Sequence, residues 1–170
     1  MILIKYISDS ELMKENDIPK EPVWNVRQAA RAVLLDSQNR IALMHIGKYD
    51  VYKLPGGGMD EGETLEQAFI REIKEETGCE AEKIADLGIT IEKRDEWKLV
   101  QISHCFLARV TKMGEHQMTA EEKEEGFSLH WVESIEEAIR LVGLNSSDRY
   151  DDNYIRQRDL AILNRAKAVI

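Results

Sequence analysis

Cysteine is scarce in this sequence: Cys79 and Cys105 are the only two, and they form no CxxC pair. A disulfide framework and a cysteine-built zinc site are therefore excluded, leaving two small, reduced, apolar side chains. Long apolar runs are missing as well. The longest, such as Ala32–Leu35, fall far short of the about 20 residues that span a membrane. Met1–Ile4 meets Lys5 at once, too short for the apolar region of a secretory leader, so a cytoplasmic protein with no membrane attachment is expected. Positive charge is in deficit, 23 Lys and Arg against 32 Asp and Glu, for a net charge of −9. A polyanion prefers a basic stripe, so long nucleic acid is excluded as a partner. Small phosphorylated ligands stay open where a divalent cation neutralises the meeting charges.

Several motifs are also absent. The glycines Gly56-Gly57-Gly58 lack the GxGxxG spacing, and no GK[ST] follows them. Neither a GxSxG elbow nor HExxH occurs, and His45, His104, His116 and His130 show no ligand spacing.

What is present reads as an ordinary soluble domain. A chain of 170 residues buries about 70% of its unfolded surface, enough for a core without staples. No repeat or linker divides it, so residues 1–170 are expected to form one domain, with 1–22 as an N-terminal extension packed on it. That extension reads as a short strand, a polar helical turn near Glu11–Glu15 and a connection through Pro19 and Pro22. Strands are expected at Val23–Leu35 and Ile41–Ile46, joined through the turn Asp36–Asn39, then at Val51–Leu54 before the glycine run. Thr64 with Gln67 is a capping-box pattern and Gly78 a natural stop, which predicts a helix over 65–77. Strands follow near Ile84–Ile91, Leu99–Val110 and Phe127–Val132, with a charged turn at Glu92–Lys98 and an acidic loop at Glu115–Gly126. Ser134 with Glu137 starts a helix ending near Gly143; a loop at Asn145–Asn153 precedes a final helix over 153–168, whose apolar face carries Ile155, Ile162, Leu163 and Ala166. Strands and helices without regular βαβ alternation argue for an α/β fold, a mixed sheet with helices on its faces.

On the 65–77 helix, Leu65, Phe69 and Ile73 stack on one side, and Ala68 and Ile70 widen the apolar arc. Glu76 falls about 60° and Glu72 about 100° from Ile73, inside that arc, with Glu75 at its edge. Ionised groups resist desolvation, so carboxylates there ask for compensation; a hard divalent cation, Mg²⁺ or Mn²⁺, with oxygen ligands spaced i, i+3, i+4 is one source. A solvated acidic helix face is the alternative, and Glu66 also falls on the arc. Arg71 is spaced to pair with Glu75.

The run Gly57-Gly58-Met59-Asp60-Glu61-Gly62-Glu63 followed by Arg71-Glu72-Ile73-Lys74-Glu75-Glu76-Thr77-Gly78 resembles the Nudix box of the Nudix hydrolase family. Gly57, Glu63, Arg71, Glu72, Ile73, Glu75, Glu76 and Gly78 fall in register with its fixed positions, and Cys79 stands where an aliphatic is usual. The resemblance implies an α/β/α sandwich in which a loop–helix–loop carries the box on a mixed sheet. It also implies hydrolysis, dependent on Mg²⁺ or Mn²⁺, of a phosphoanhydride in a nucleoside diphosphate linked to another group. Carried over position by position, Glu72, Glu75 and Glu76 would hold metal, Glu63 and Arg71 would orient them, and Gly57, Gly58 and Gly78 would shape the turns. The base would be Glu72 or a loop glutamate: Glu125-Gly126 ahead of Trp131 resembles the spacing of an extra metal-binding glutamate in MutT-like members, which ranks Glu125 before Glu122. The implied catalytic set is then Glu72, Glu75, Arg71 and Glu125, and the metal set Glu72, Glu75, Glu76 and Glu125.

The stretch Ala81–Lys98 contains neither proline nor tyrosine, unlike ADP-ribose and dinucleoside polyphosphate members. That favours a MutT-like pyrophosphatase of normal or oxidised nucleoside triphosphates. ADP-ribose or sugar-nucleotide hydrolysis is the alternative, and a non-catalytic nucleotide sensor is a third reading, opposed by the retained carboxylates. A base could stack on Tyr49, Tyr52 or Trp97, and Arg27 or Lys53 could join Gly57 and Gly58 at the phosphates. The partner is thus a small nucleotide, and the sequence leaves a homodimer open.

Overall fold

The computed structural model describes residues 2–8, 23–115, 123–145, 147 and 149–170. Its elements are β1 (Leu3–Ser8), β2 (Asn25–Leu35), β3 (Ile41–Ile46), β4 (Val51–Lys53), β5 (Gly56–Gly58), α1 (Leu65–Thr77), β6 (Glu80–Arg94), β7 (Leu99–Lys112), β8 (Phe127–Val132), α2 (Ile135–Gly143) and α3 (Tyr150–Lys167). The expected turn at Glu11–Glu15, Pro19, Pro22, His116 and Glu122 lie outside the described residues.

The strands form one mixed sheet in the order β1-β6-β7-β2-β3-β4, with β5 on β2 and β8 on β3. The β1–β6 and β2–β7 pairs are parallel; β6–β7, β3–β4 and β3–β8 are antiparallel. Alternation along β2 divides the core. Ala30, Ala32 and Leu34 join Ala68, Phe69 and Ile73 of α1 on one face, while Val33 and Leu35 join Ala138 and Val142 of α2 and Ile162, Leu163 and Ala166 of α3 on the other. The result is the expected α/β/α sandwich. Full burial of Phe69 or Ile73 contributes about 1.5–3 kcal/mol each.

The sheet forks beside β2. Its last residue pairs with β3 as Leu35↔Ile41, but Ala29–Arg31 pair with Gly58–Gly56. The glycine run, expected as a loop, is therefore a strand. Gly56 carries φ +129°, and a Cβ there would collide with the carbonyl of Ala30, so only glycine lets β5 lie this close to β2.

Two other boundaries differ from the sequence reading. β6 spans Glu80–Arg94 rather than Ile84–Ile91, because register shifts at Lys83/Ala85 and Asp86/Gly88 break its apolar alternation while pairing with β7 continues. α3 begins at Tyr150, within the expected loop; Asp151 and Asp152 occupy its first turn, where carboxylates suit the helix dipole. Tyr150 packs its ring against Trp97 and Tyr154. Among the described residues no helix is long and apolar enough to cross a membrane.

Candidate active site

The site is built on α1. Gln67 N–H donates to Thr64 Oγ1 at 3.3 Å, and Thr64 N–H donates to Gln67 Oε1 at 2.8 Å, closing the capping box. Gly78, left-handed at φ 72°, ends the helix with its N–H on the Lys74 carbonyl at 2.9 Å. Between these ends Ala68, Phe69, Ile73, Glu76 and Thr77 face inward; Ile70, placed on the apolar arc by its spacing, is exposed.

Glu76 is the innermost acid. Its side chain is 7% exposed, and Oε1 accepts from Lys53 Nζ at 2.6 Å while Oε2 accepts from Gly56 N–H at 2.7 Å. An ammonium and a backbone dipole thus offset the desolvation of a buried carboxylate. Lys53 also lies over the Phe127 ring, 5.2 Å from its centroid. The sequence reading gave Lys53 to substrate phosphate; the structure sets it on Glu76.

Arg71 gathers the other acids. Nε and Nη2 donate to the two oxygens of Glu63, each at 2.9 Å; Nη1 donates to Glu72 at 2.8 Å and Glu75 at 3.2 Å, and Nη2 to the Gly58 carbonyl at 2.8 Å. The guanidinium holds the Glu63 carboxyl below the usual carboxylate range, aided by the Asp60 N–H. Glu72 moves the other way. Burial raises its pKa, Arg71 opposes that, and the Glu76 charge adds to the rise. A Cβ at Gly57 would meet this carboxylate, so any other residue there would push the Glu72 side chain aside. Arg27 lies with its guanidinium against Gly58 in the same manner; it is exposed, and its side chain has no hydrogen bond or ion pair among the described residues.

Two groups therefore meet here: Glu63, Arg71, Glu72 and Glu75 with Gly58, and Glu76 with Lys53 and Gly56. Glu125 stands with neither in any hydrogen bond or ion pair; it accepts from the Tyr49 hydroxyl at 3.3 Å and lies 3.8 Å from Lys48 Nζ. The proposed base-stacking residues are engaged elsewhere: Arg149 covers the Tyr49 ring at 3.7 Å, Tyr52 stacks on His45 at 4.4 Å, and Trp97 packs on Tyr150 at 5.7 Å. The donor set suits a hard divalent cation in atom type and charge, and the mutual repulsion of Glu72 and Glu76 is what such a cation relieves. Among the described residues, however, no three His, Cys, Asp or Glu side chains are arranged to hold one ion, and Arg71 and Lys53 occupy carboxylate oxygens.

A family model described as NUDIX domain matches residues 25–151, most of the chain. The chain belongs to the Nudix family. The 8-oxo-dGDP phosphatase NUDT18 of Danio rerio is 31% identical over 110 residues, covering 63% of this Nudix chain and 32% of that protein. The ADP-ribose pyrophosphatase of Methanocaldococcus jannaschii is 34% identical over 83 residues, covering 46% and 48% respectively. The alignments thus take in about half or less of these relatives' own lengths. A solved NUDIX hydrolase from Nitrosomonas europaea superimposes with a TM-score of 0.62 over 85% of this chain and 90% of its own, at 19% identity, a likeness of fold.

Sequence reasoning missed the charges beneath this Nudix site. Arg31 donates to the Gly56 carbonyl at 2.6 Å, and Asp159 accepts from Leu54 N–H at 2.8 Å. Asp159 also accepts from Arg158 at 2.7 Å, and Arg158 reaches Glu92 at 3.3 Å, all three buried. Burial lowers the Arg31 pKa to about 10, and the Arg158 charge adds to this while Asp159, Glu92 and Glu76 oppose it. The signal was available: Arg31 interrupts the apolar run Ala29–Leu35, and Arg158-Asp159 interrupts the inner face of α3.

Proposed function

We propose that this Nudix protein hydrolyses a phosphoanhydride of a nucleoside diphosphate derivative, with a normal or oxidised nucleoside triphosphate as its substrate. Support comes from the complete set of box residues on α1, and from the name of the Danio rerio relative, which refers to an oxidised guanine nucleotide. The observation that carries the reading is the inward placement of Glu76, with Glu72 half-buried one helical turn before it. Two carboxylates withdrawn from water on one helix face carry a desolvation cost and repel each other, which a bound divalent cation would offset.

In this reading Glu72, Glu75 and Glu76 hold Mg²⁺ or Mn²⁺, with Glu125 joining from its loop. When bound, the cation supplies charge neutralisation at the phosphate oxygens. Arg71 and Glu63 fix the direction of Glu72 and Glu75. Glu72 accepts the proton of the attacking water, a role suited to a carboxylate whose pKa burial has raised. Arg27, with no acidic partner among the described residues, binds a phosphate together with the Gly57-Gly58 backbone, and Lys53 does so on leaving Glu76. Water adds to phosphorus, the anhydride P–O bond breaks, and pyrophosphate or phosphate leaves.

Incubating the protein with dGTP, 8-oxo-dGTP, 8-oxo-dGDP, ADP-ribose and a sugar nucleotide, with and without Mg²⁺, tests the assignment by chromatography of the products. Metal-dependent conversion of 8-oxo-dGTP or dGTP to the monophosphate is expected, abolished by Glu76→Gln with the circular dichroism spectrum retained. Cleavage of ADP-ribose alone would move the substrate to the other relative's class; full activity of Glu76→Gln would remove the metal-site assignment.

A further inference from the structure

The connector between β4 and β5, Leu54-Pro55-Gly56, is buried, yet the ladder of β4 ends at Lys53 and that of β5 begins at Gly56. A buried N–H or carbonyl without a partner is costly, so the polar groups of this connector must be met from outside the ladders. The Pro55 carbonyl accepts from the Ala32 N–H at 3.1 Å, and ionised side chains from three elements meet the neighbouring groups. Asp159 of α3 accepts from Leu54 N–H at 2.8 Å, Glu76 of α1 accepts from Gly56 N–H at 2.7 Å, and Arg31 of β2 donates to the Gly56 carbonyl at 2.6 Å. Charge-assisted bonds of this kind are short and directional.

These anchors are themselves linked. Asp159 is held by Arg158, Arg158 by Glu92, and Glu92 also accepts from Arg94 at 2.6 Å and Gln101 at 2.9 Å. Arg31 lies within the fields of Arg158, Asp159 and Glu92 as well as that of Glu76, so it bridges the charges beneath the sheet and the acid on α1. The fork between β2 and β3 provides the opening. Asp159 lies beyond residues 25–151, on a helix of which the family model reaches only Tyr150 and Asp151.

We infer that Asp159 and Arg31 are positioning residues for the hydrolysis proposed above: together they fix the Leu54–Gly56 connector, and through Gly56 they aim Glu76. The inference rests on the reading of Glu76 as a metal-holding group. Its physical content is independent of turnover, because loosening Leu54 must also loosen Gly56. Asp159→Asn keeps an oxygen for Leu54 N–H but removes the charge that faces Arg31 and Arg158. Arg165→Met serves as the control, since Arg165 sits on the same helix and, among the described residues, its side chain bonds only the Leu87 carbonyl, at 3.3 Å.

Amide exchange read residue by residue by NMR, alongside steady-state kinetics on the nucleotide that the wild type cleaves, tests this. In Asp159→Asn, exchange at both Leu54 and Gly56 is expected to rise at least about tenfold while amides inside α1 keep their protection. kcat is expected to fall by about 10–100-fold with KM changed little. Arg165→Met is expected to change neither Gly56 exchange nor kcat. Unchanged exchange at Gly56, or the same loss of kcat in Arg165→Met, overturns the inference. Should Asp159→Asn not fold, Arg31→Lys reads the link from the strand side, with the same rise at Gly56 expected and an unaltered Gly56 equally fatal. Wild-type inactivity on every nucleotide would bear on the proposed substrate, and the exchange measurement would still decide the positioning.

Discussion

Glu76 and Glu72 show how one helix gives two carboxylates different characters. Glu76 is withdrawn from water but bonded at both oxygens, so its charge is balanced by an ammonium and a peptide dipole. Glu72 has one guanidinium contact, a Glu76 charge nearby and a desolvated position, and its affinity for protons rises accordingly. Its placement depends on a hydrogen atom: at Gly57 any Cβ would meet that carboxylate. Gly57→Ala is expected to fold, with an unchanged circular dichroism spectrum, while turnover falls by about a hundredfold because Glu72 is displaced. Wild-type turnover in that variant would show that Glu72 does not need its present direction. The inward side of α1 was legible from wheel angles alone, since Glu76 and Ile73 share an arc. The partner of Glu76 was not, because the approach of Lys53 depends on how β4 is placed across the sheet, which no local pattern encodes.

Elements were legible where local chemistry marks their ends. Thr64, Gln67 and Gly78 delimit α1, and Ser134 with Glu137 starts α2, whose Glu137 N–H donates to Ser134 Oγ at 3.1 Å. The β2–β3 turn was equally plain. Asp36 there is buried and accepts from the N–H groups of Gln38 and Arg40 and from Arg40 Nε, all at 2.8 Å. Burial alone would raise its pKa; the Arg40 and Gln38 hydrogen bonds outweigh burial and hold the carboxyl below the ordinary aspartate range. A carboxylate with a depressed folded pKa contributes stability above its unfolded pKa of about 4 and loses it as the pH falls through the folded value. Asp36→Asn is therefore expected to be less stable than wild type at pH 7 in urea melts, with the gap closing below about pH 4. A gap that stays constant with pH would contradict this. Elements without such markers were missed. Three glycines have no strand propensity, yet β2 pairs with them; the N-cap of α3, Arg149, makes no side-chain cap bond, so no capping pattern marked its start at Tyr150.

At the scale of the whole molecule, α1 and α3 lie on opposite faces of the sheet, and buried charges connect them through the fork. Apolar periodicity places both helices but is silent on a network whose members come from β2, β6, α1 and α3, since each charge looks like an isolated exception until the fold collects them. Removing one partner from buried pairs costs about 3–5 kcal/mol because the others stay desolvated. Glu92→Gln, which replaces the carboxylate shared by Arg94, Gln101 and Arg158 with a neutral amide, is thus expected to lower Tm by roughly 6–20 °C in calorimetry. An unchanged Tm would show that the network contributes little. The central claim, that the acids of α1 hold a divalent cation, is tested most directly by anomalous diffraction from crystals grown with Mn²⁺. The account predicts a single strong peak within coordinating distance of the Glu72 and Glu76 oxygens, with Lys53 moved off Glu76. A map with no peak there, and with Arg71 and Lys53 still seated on those carboxylates at saturating Mn²⁺, would contradict it.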